Sequence, residues 1–195
     1  MRTFVLMVLS AAFLVVTVDS AQAAPGDPNP GSLDRLVELV ADRLDTGDVV
    51  AAAKWVSAAH NGSEPMIDDP AREAMVYDAM TRLGADRGLS ENWVRQVFSG
   101  QIEANKMVQR GLITRWRFDP AVAPTVSPEL AAVRPEIDRL NIGIIEQLAD
   151  HRAELSGPAC AERLAHSVFD LYAARRGDGL HRVVLARAAA ALCSP

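Results

Sequence analysis

Apolar residues recur along this chain at steps of three and four, and no stretch alternates polar with β-branched apolar residues for long enough to make a strand. That periodicity puts each apolar set on one side of a helix, so the expected fold class is all-α. Ser32 is placed to cap a first helix, along which Leu33, Leu36, Val37, Val40 and Leu44 form one stripe. Thr46-Gly47-Asp48 reads as an interruption before a second run, Val49 to Ala59. Asp69-Pro70 sets a capping carboxylate before a proline at the first helical position, predicting a helix to between Leu83 and Arg87. Ser90 caps another, from Glu91 to about Thr114, with Val94, Val97, Phe98, Ile102, Met107 and Val108 inward. Residues 119–128 are a proline-rich connector, and Ser127-Pro128 repeats the cap-then-proline start for a helix reaching about Leu155. Gly157-Pro158 ends it, and two more helices, about Ala159–Arg176 and Leu180–Leu192, fit the remainder.

The first residues read as an address. Arg2 precedes an apolar run, Phe4 to Val18, shorter than the ~20 residues of a spanning helix. Ala21-Gln22-Ala23 has small residues where a signal peptidase grips, so residues 1–23 are expected to be a secretory signal peptide. Residues 24–31, rich in proline and glycine, are then a flexible lead-in, and 32–195 form one domain. The protein is expected to be exported, to the periplasm or beyond it, with no membrane partner after cleavage. In an oxidising compartment the only two cysteines, Cys160 and Cys193, are expected to pair. The four dispersed histidines show no zinc-site spacing, so no metal is expected. A net charge of −5 without a basic run makes nucleic acid an unsuitable partner.

Among the polar residues, position matters more than number. Arg43, Lys54, Arg72 and Arg134 each sit beside apolar neighbours on a helix, and Gln101, Asn105 and Gln109 form an i, i+4, i+8 row. Converging arginines would make a cationic cavity, but periodicity alone leaves open whether they converge or lie on solvated surfaces.

Two stretches carry more than composition: residues 65–76, PMIDDPAREAMV, and residues 93–109, WVRQVFSGQIEANKMVQ. Together with Asp42-Arg43-Leu44, Ala52-Ala53-Lys54-Trp55, the Arg134…Asp138-x-x-Asn141 helix and the cysteine pair, they resemble the secreted (gamma, mycobacterial-like) subclass of the AroQ chorismate mutases. The likeness runs from about Leu33 to Cys193.

The resemblance implies a helical bundle of six or seven helices, a homodimer, and rearrangement of chorismate to prephenate without covalent intermediate, metal or organic cofactor. It also implies roles. Arg43, Arg72 and Arg134 match the carboxylate clamps, for which a planar guanidinium fork is suited. Lys54 and Gln109 match the donors to the ether oxygen, on which negative charge grows as its C–O bond breaks. Asn105 matches a substrate-contacting position. Glu73 and Asp69 match positions near the substrate's ring hydroxyl, with Asp69 also the expected helix cap. Val76 stands where some relatives have a polar residue, so one carboxylate contact is expected to be missing. Mycobacterial relatives carry Glu at the position of Gln109 and Thr at that of Asn105. Two rival functions fit the same fold: an isochorismate-pyruvate lyase, and a catalytically silent exported binding protein.

Overall fold

In a computed structural model the described residues are 32–175 and 177–194, so the expected signal peptide and lead-in, residues 1–31, lie outside them. Seven α-helices and no strand occur among those residues: α1 (Asp34–Asn61), α2 (Pro70–Asp86), α3 (Glu91–Phe118), α4 (Leu130–Asp150), α5 (Arg152–Leu155), α6 (Cys160–Ala174) and α7 (Gly179–Ala189). The two 28-residue helices α1 and α3 pack on each other. Helices α2 and α4 flank them on one part of their surface, α6 and α7 on another. Leu36, Val37, Val40 and Leu44 of α1 meet Val94, Val97 and Phe98 of α3 and Leu140, Ile144 and Ile145 of α4 in one core, all essentially sealed from solvent.

Several boundaries differ from the sequence reading. Thr46-Gly47-Asp48 does not break α1, which runs unbroken for 28 residues. A glycine inside a helix costs about 1 kcal/mol relative to alanine, and here it serves the crossing with α3. A Cβ at Gly47 would lie 3.1 Å from a Val108 methyl and 3.2 Å from Asn105 Nδ2. Thr46 stays helical by donating its hydroxyl to the Arg43 carbonyl at 2.7 Å. The true stop is Gly62, which takes the left-handed conformation at φ 63° that glycine reaches without strain.

Helix α3 continues a turn past Thr114 to Phe118, because Trp116 packs edge-to-face on Trp55 of α1 with ring centroids 5.7 Å apart. Helix α4 starts at Leu130, not Pro128. The Ser127 hydroxyl donates to the Pro128 carbonyl instead of capping, and Glu129 is the N-cap residue without a side-chain cap bond. Its far end stops at Asp150, where His151, at φ −105° and ψ 26°, separates it from the single turn of α5. At the start, Ser32 accepts from the Asp34 N–H at 3.2 Å, although Leu33 occupies the cap position.

The C-terminal end is tied down by three devices. The Cys160–Cys193 disulfide joins the start of α6 to the segment after α7, with Cα atoms 5.9 Å apart. Trp93 Nε1 donates to the Leu192 carbonyl at 3.0 Å. Gln96 Nε2 donates to the carbonyls of Ala191 and Cys193, satisfying groups that the end of α7 leaves open. Together these fix α7 against α3, the helix that carries much of the site.

Candidate active site

A cavity of about 160 Å³ opens between α1, α2, α3 and α4. Its walls bring together Arg43, Lys54, Asp69, Arg72, Glu73, Val76, Asn105, Gln109 and Arg134, every residue that the sequence singled out for a site. Of the polar row on α3, Asn105 and Gln109 reach the cavity; Gln101, fully buried, is turned to α7, where Nε2 lies 3.4 Å from the Ala188 carbonyl.

Arg43 is the most constrained cation. It is 5% exposed, its Nε donates to Asn141 Oδ1 at 2.7 Å and an Nη donates to the Gln101 carbonyl at 2.9 Å. Burial pulls its pKa down to about 10, which leaves it charged at neutral pH. Three turns along the same helix, Lys54 donates to the Ile67 carbonyl at 2.5 Å, and burial lowers its pKa as well. One ammonium hydrogen bond thus places the segment before α2 against α1.

The start of α2 is built by a reciprocal pair. Asp69 Oδ1 accepts from the Arg72 N–H at 3.0 Å, and Glu73 Oε1 accepts from the Asp69 N–H at 3.3 Å. Pro70 occupies the first turn, where no N–H is missed. The cap fixes Arg72, whose guanidinium pairs with Asp138 of α4 at 3.0 Å. Arg134, one turn before Asp138 on α4, is exposed and makes no hydrogen bond or ion pair with the described residues. Its guanidinium is therefore free for a ligand.

On α3, Gln109 Nε2 donates to Asn105 Oδ1 at 2.8 Å, and Asn105 Nδ2 donates to the Arg43 carbonyl at 3.2 Å, with Thr46 Oγ1 3.4 Å away. This amide chain locks the row to α1. Gln109 is 4% exposed and its Oε1 has no partner, so its amide faces the cavity with unused hydrogen-bonding capacity. Val50, Ile67, Val76, Ile102, Val133 and Ile137 make the rest of the wall apolar.

Lys106 also lines the cavity and is not among the site residues expected from the sequence. It is 8% exposed and forms ion pairs with three carboxylates, Glu73, Glu103 and Asp68. A signal was present: Lys54 and Lys106 are the only lysines beside eighteen arginines, and Lys106 falls within residues 93–109. Five cations and two carboxylates line the cavity; Arg72 pairs with Asp138 and Lys106 with Asp68, Glu73 and Glu103, which leaves Arg43, Lys54 and Arg134 without an ion pair among the described residues. Such a surplus, set among apolar walls, suits a small anion carrying more than one negative charge and needing little water. No cluster of three or more metal-binding side chains occurs among the described residues.

Comparison with known proteins points the same way. The profile of the family described as chorismate mutase type II matches residues 34–110, which span α1, α2 and most of α3. The chain is 33% identical over 176 residues to the secreted chorismate mutase of Mycolicibacterium smegmatis, covering 90% of this chain and 93% of that protein. It is 32% identical over 164 residues to the secreted chorismate mutase of Mycobacterium tuberculosis, covering 83% and 78%. Among solved structures, the chorismate mutase of Burkholderia phymatum superposes with a TM-score of 0.75 at 33% identity, over 85% of this chain and 98% of that one. The chorismate mutase of Burkholderia thailandensis does so at 0.73 and 31%, over 83% and 99%.

Proposed function

The chain belongs to the chorismate mutase type II family, and from that premise we propose that it converts chorismate to prephenate in the cavity between α1, α2, α3 and α4. It is an isomerase. The observation that carries the assignment to this cavity is that Arg43 and Lys54 from α1, Arg72 from α2 and Arg134 from α4 all line it.

Chorismate is a dianion, and the rearrangement moves negative charge onto the ether oxygen as the C–O bond breaks and a C–C bond forms. The protein has two tasks: to hold the substrate folded so that the reacting carbons approach, and to set donors where charge develops. Arg43, Arg72 and Arg134 hold the carboxylates, with Arg43 pre-oriented by Asn141 and the Gln101 carbonyl before substrate arrives. Lys54 and Gln109 donate to the ether oxygen, the Gln109 amide still having a second N–H beyond the one given to Asn105. Asn105 keeps that amide oriented, and Glu73 accepts from the ring hydroxyl. Asp69 acts chiefly as the α2 cap. Val76, buried and apolar, gives van der Waals contact but no carboxylate bond. No proton need leave the substrate, so no general base is required.

Export rests on the signal-like residues 1–23 and on the likeness to two secreted enzymes. A homodimer, each site within one chain, completes the reading. Purified residues 24–195 given chorismate should consume it and release prephenate. Pyruvate release from isochorismate, with chorismate untouched, would replace the mutase by the lyase; silence on both would leave a binding protein.

A further inference from the structure

Lys106 has an unusual position for a lysine that is all but sealed from solvent. Glu73 Oε1 lies 2.8 Å from its Nζ, Glu103 Oε1 2.9 Å and Asp68 Oδ1 3.0 Å, so the ammonium is within ion-pair distance of three carboxylates and donates a hydrogen bond to Glu103. Burial works against the charge, but the bonds to Glu73, Glu103 and Asp68 outweigh it and hold the ammonium above its usual pKa. Lys106 is therefore a permanent cation.

Its partner Glu73 sits in the wall of the cavity. Both contacts to Glu73, from Lys106 and from the Asp69 N–H, go to Oε1; Oε2 has no partner among the described residues. Resting on the reading of the cavity as a chorismate site, this poses an electrostatic problem. A bare carboxylate beside a dianion repels it strongly in a site of reduced dielectric, yet a carboxylate is the acceptor best suited to a ring hydroxyl.

We propose that Lys106 is a positioning residue that eases this conflict: by pairing with Oε1 it offsets part of the charge of Glu73 and leaves Oε2 as an acceptor for the substrate. Arg110, 3.4 Å from Asp68 and 3.9 Å from Glu103, draws on those two carboxylates, so less of the Lys106 charge is taken up by them. The ammonium need not touch the substrate.

The test is steady-state kinetics with chorismate on wild type, Lys106→Met, Lys106→Arg, Glu73→Gln and the double variant Lys106→Met/Glu73→Gln. Unmasking Glu73 in Lys106→Met should raise KM at least about tenfold at pH 7.5, with a smaller change in kcat. Lys106→Arg keeps the charge and should keep a low KM. In the double variant the repelling charge is gone, and KM should return to within about threefold of Glu73→Gln alone.

A lysine that only clips Asp68 and α2 together predicts something else: Lys106→Met melts lower, its KM stays near that of wild type, and Glu73→Gln does not rescue it. Those results overturn the proposal. If Lys106→Met does not fold, Lys106→Gln is read by the same criteria. Wild type inactive on chorismate overturns the mutase reading and this proposal with it, whereas an active wild type with unchanged KM in Lys106→Met overturns this proposal alone.

Discussion

Arg43 Nε and Asn141 Oδ1, 98 residues apart in sequence, meet at 2.7 Å beneath the cavity, and both side chains are almost wholly buried. The contact makes α4 part of the site even where it does not face substrate. Asn141→Leu removes the acceptor and leaves a buried N–H unpaired beside a fixed charge. We expect it to lower unfolding free energy by about 1–3 kcal/mol in urea titrations, and to reduce kcat/KM because Arg43 is no longer held. Unchanged stability would show that Arg43 finds another acceptor.

Lys54→Met tests the ether-oxygen donor. The loss of one such donor in a water-poor site should lower kcat by about 10²–10³. Its resting bond is a single contact to the Ile67 carbonyl, so the melting temperature should change little. A rise in KM with kcat intact would make Lys54 a binding group only.

Gln109 donates as an amide at every pH, so kcat of the wild type should be nearly flat from about pH 5 to 8. Gln109→Glu converts that donor to a titrating one. A carboxyl donates only while protonated, so kcat of the variant should fall as pH rises through its pKa. A steep decline in the wild type over the same range would remove Gln109 from the ether oxygen.

His181 supplies a separate pH effect, on stability. Its Nε2 lies 2.9 Å from Asp48 of α1 and its Nδ1 2.9 Å from Asp178, the cap residue of α7. Burial opposes the charged ring, but the two carboxylates prevail and raise its pKa above the ordinary 6.5. A raised folded-state pKa means the contribution is complete below about 6.5 and is lost as pH climbs through the higher folded value. The melting-temperature difference between wild type and His181→Gln should therefore shrink from pH 6 to pH 8. A difference that grows with pH would contradict the ion-pair geometry.

The periodic helices were legible because burial repeats every 3.6 residues: Leu36, Val37, Val40 and Leu44 are buried as their spacing demands. What misled was local chemistry overruled by packing. Thr46-Gly47-Asp48 carries turn residues, yet Gly47 is where α3 comes closest, a fact that exists only between helices. Ser127-Pro128 has the composition of a helix start, but its hydroxyl bonds the neighbouring carbonyl.

For the site, the residues that line the cavity were readable because the motifs around Arg72 and Gln109 are specific; the periodic pattern by itself could not bring Arg43, Arg72 and Arg134 to one place. Asn141 and Lys106 act on those residues from behind or beside them. Arg43 and Asn141, like Lys106 and Glu73, lie on different helices and far apart in the chain, and no spacing rule marks such pairs.

The most direct measurement is the rate of chorismate loss and prephenate formation by residues 24–195 beside Arg72→Ala, with circular dichroism to establish that both are folded. Wild type should turn chorismate over, and the variant should lose at least about a hundredfold in kcat/KM, since a charge-assisted clamp on a carboxylate is gone. A folded Arg72→Ala as active as wild type would contradict the account, because the reaction would then take place somewhere other than this cavity.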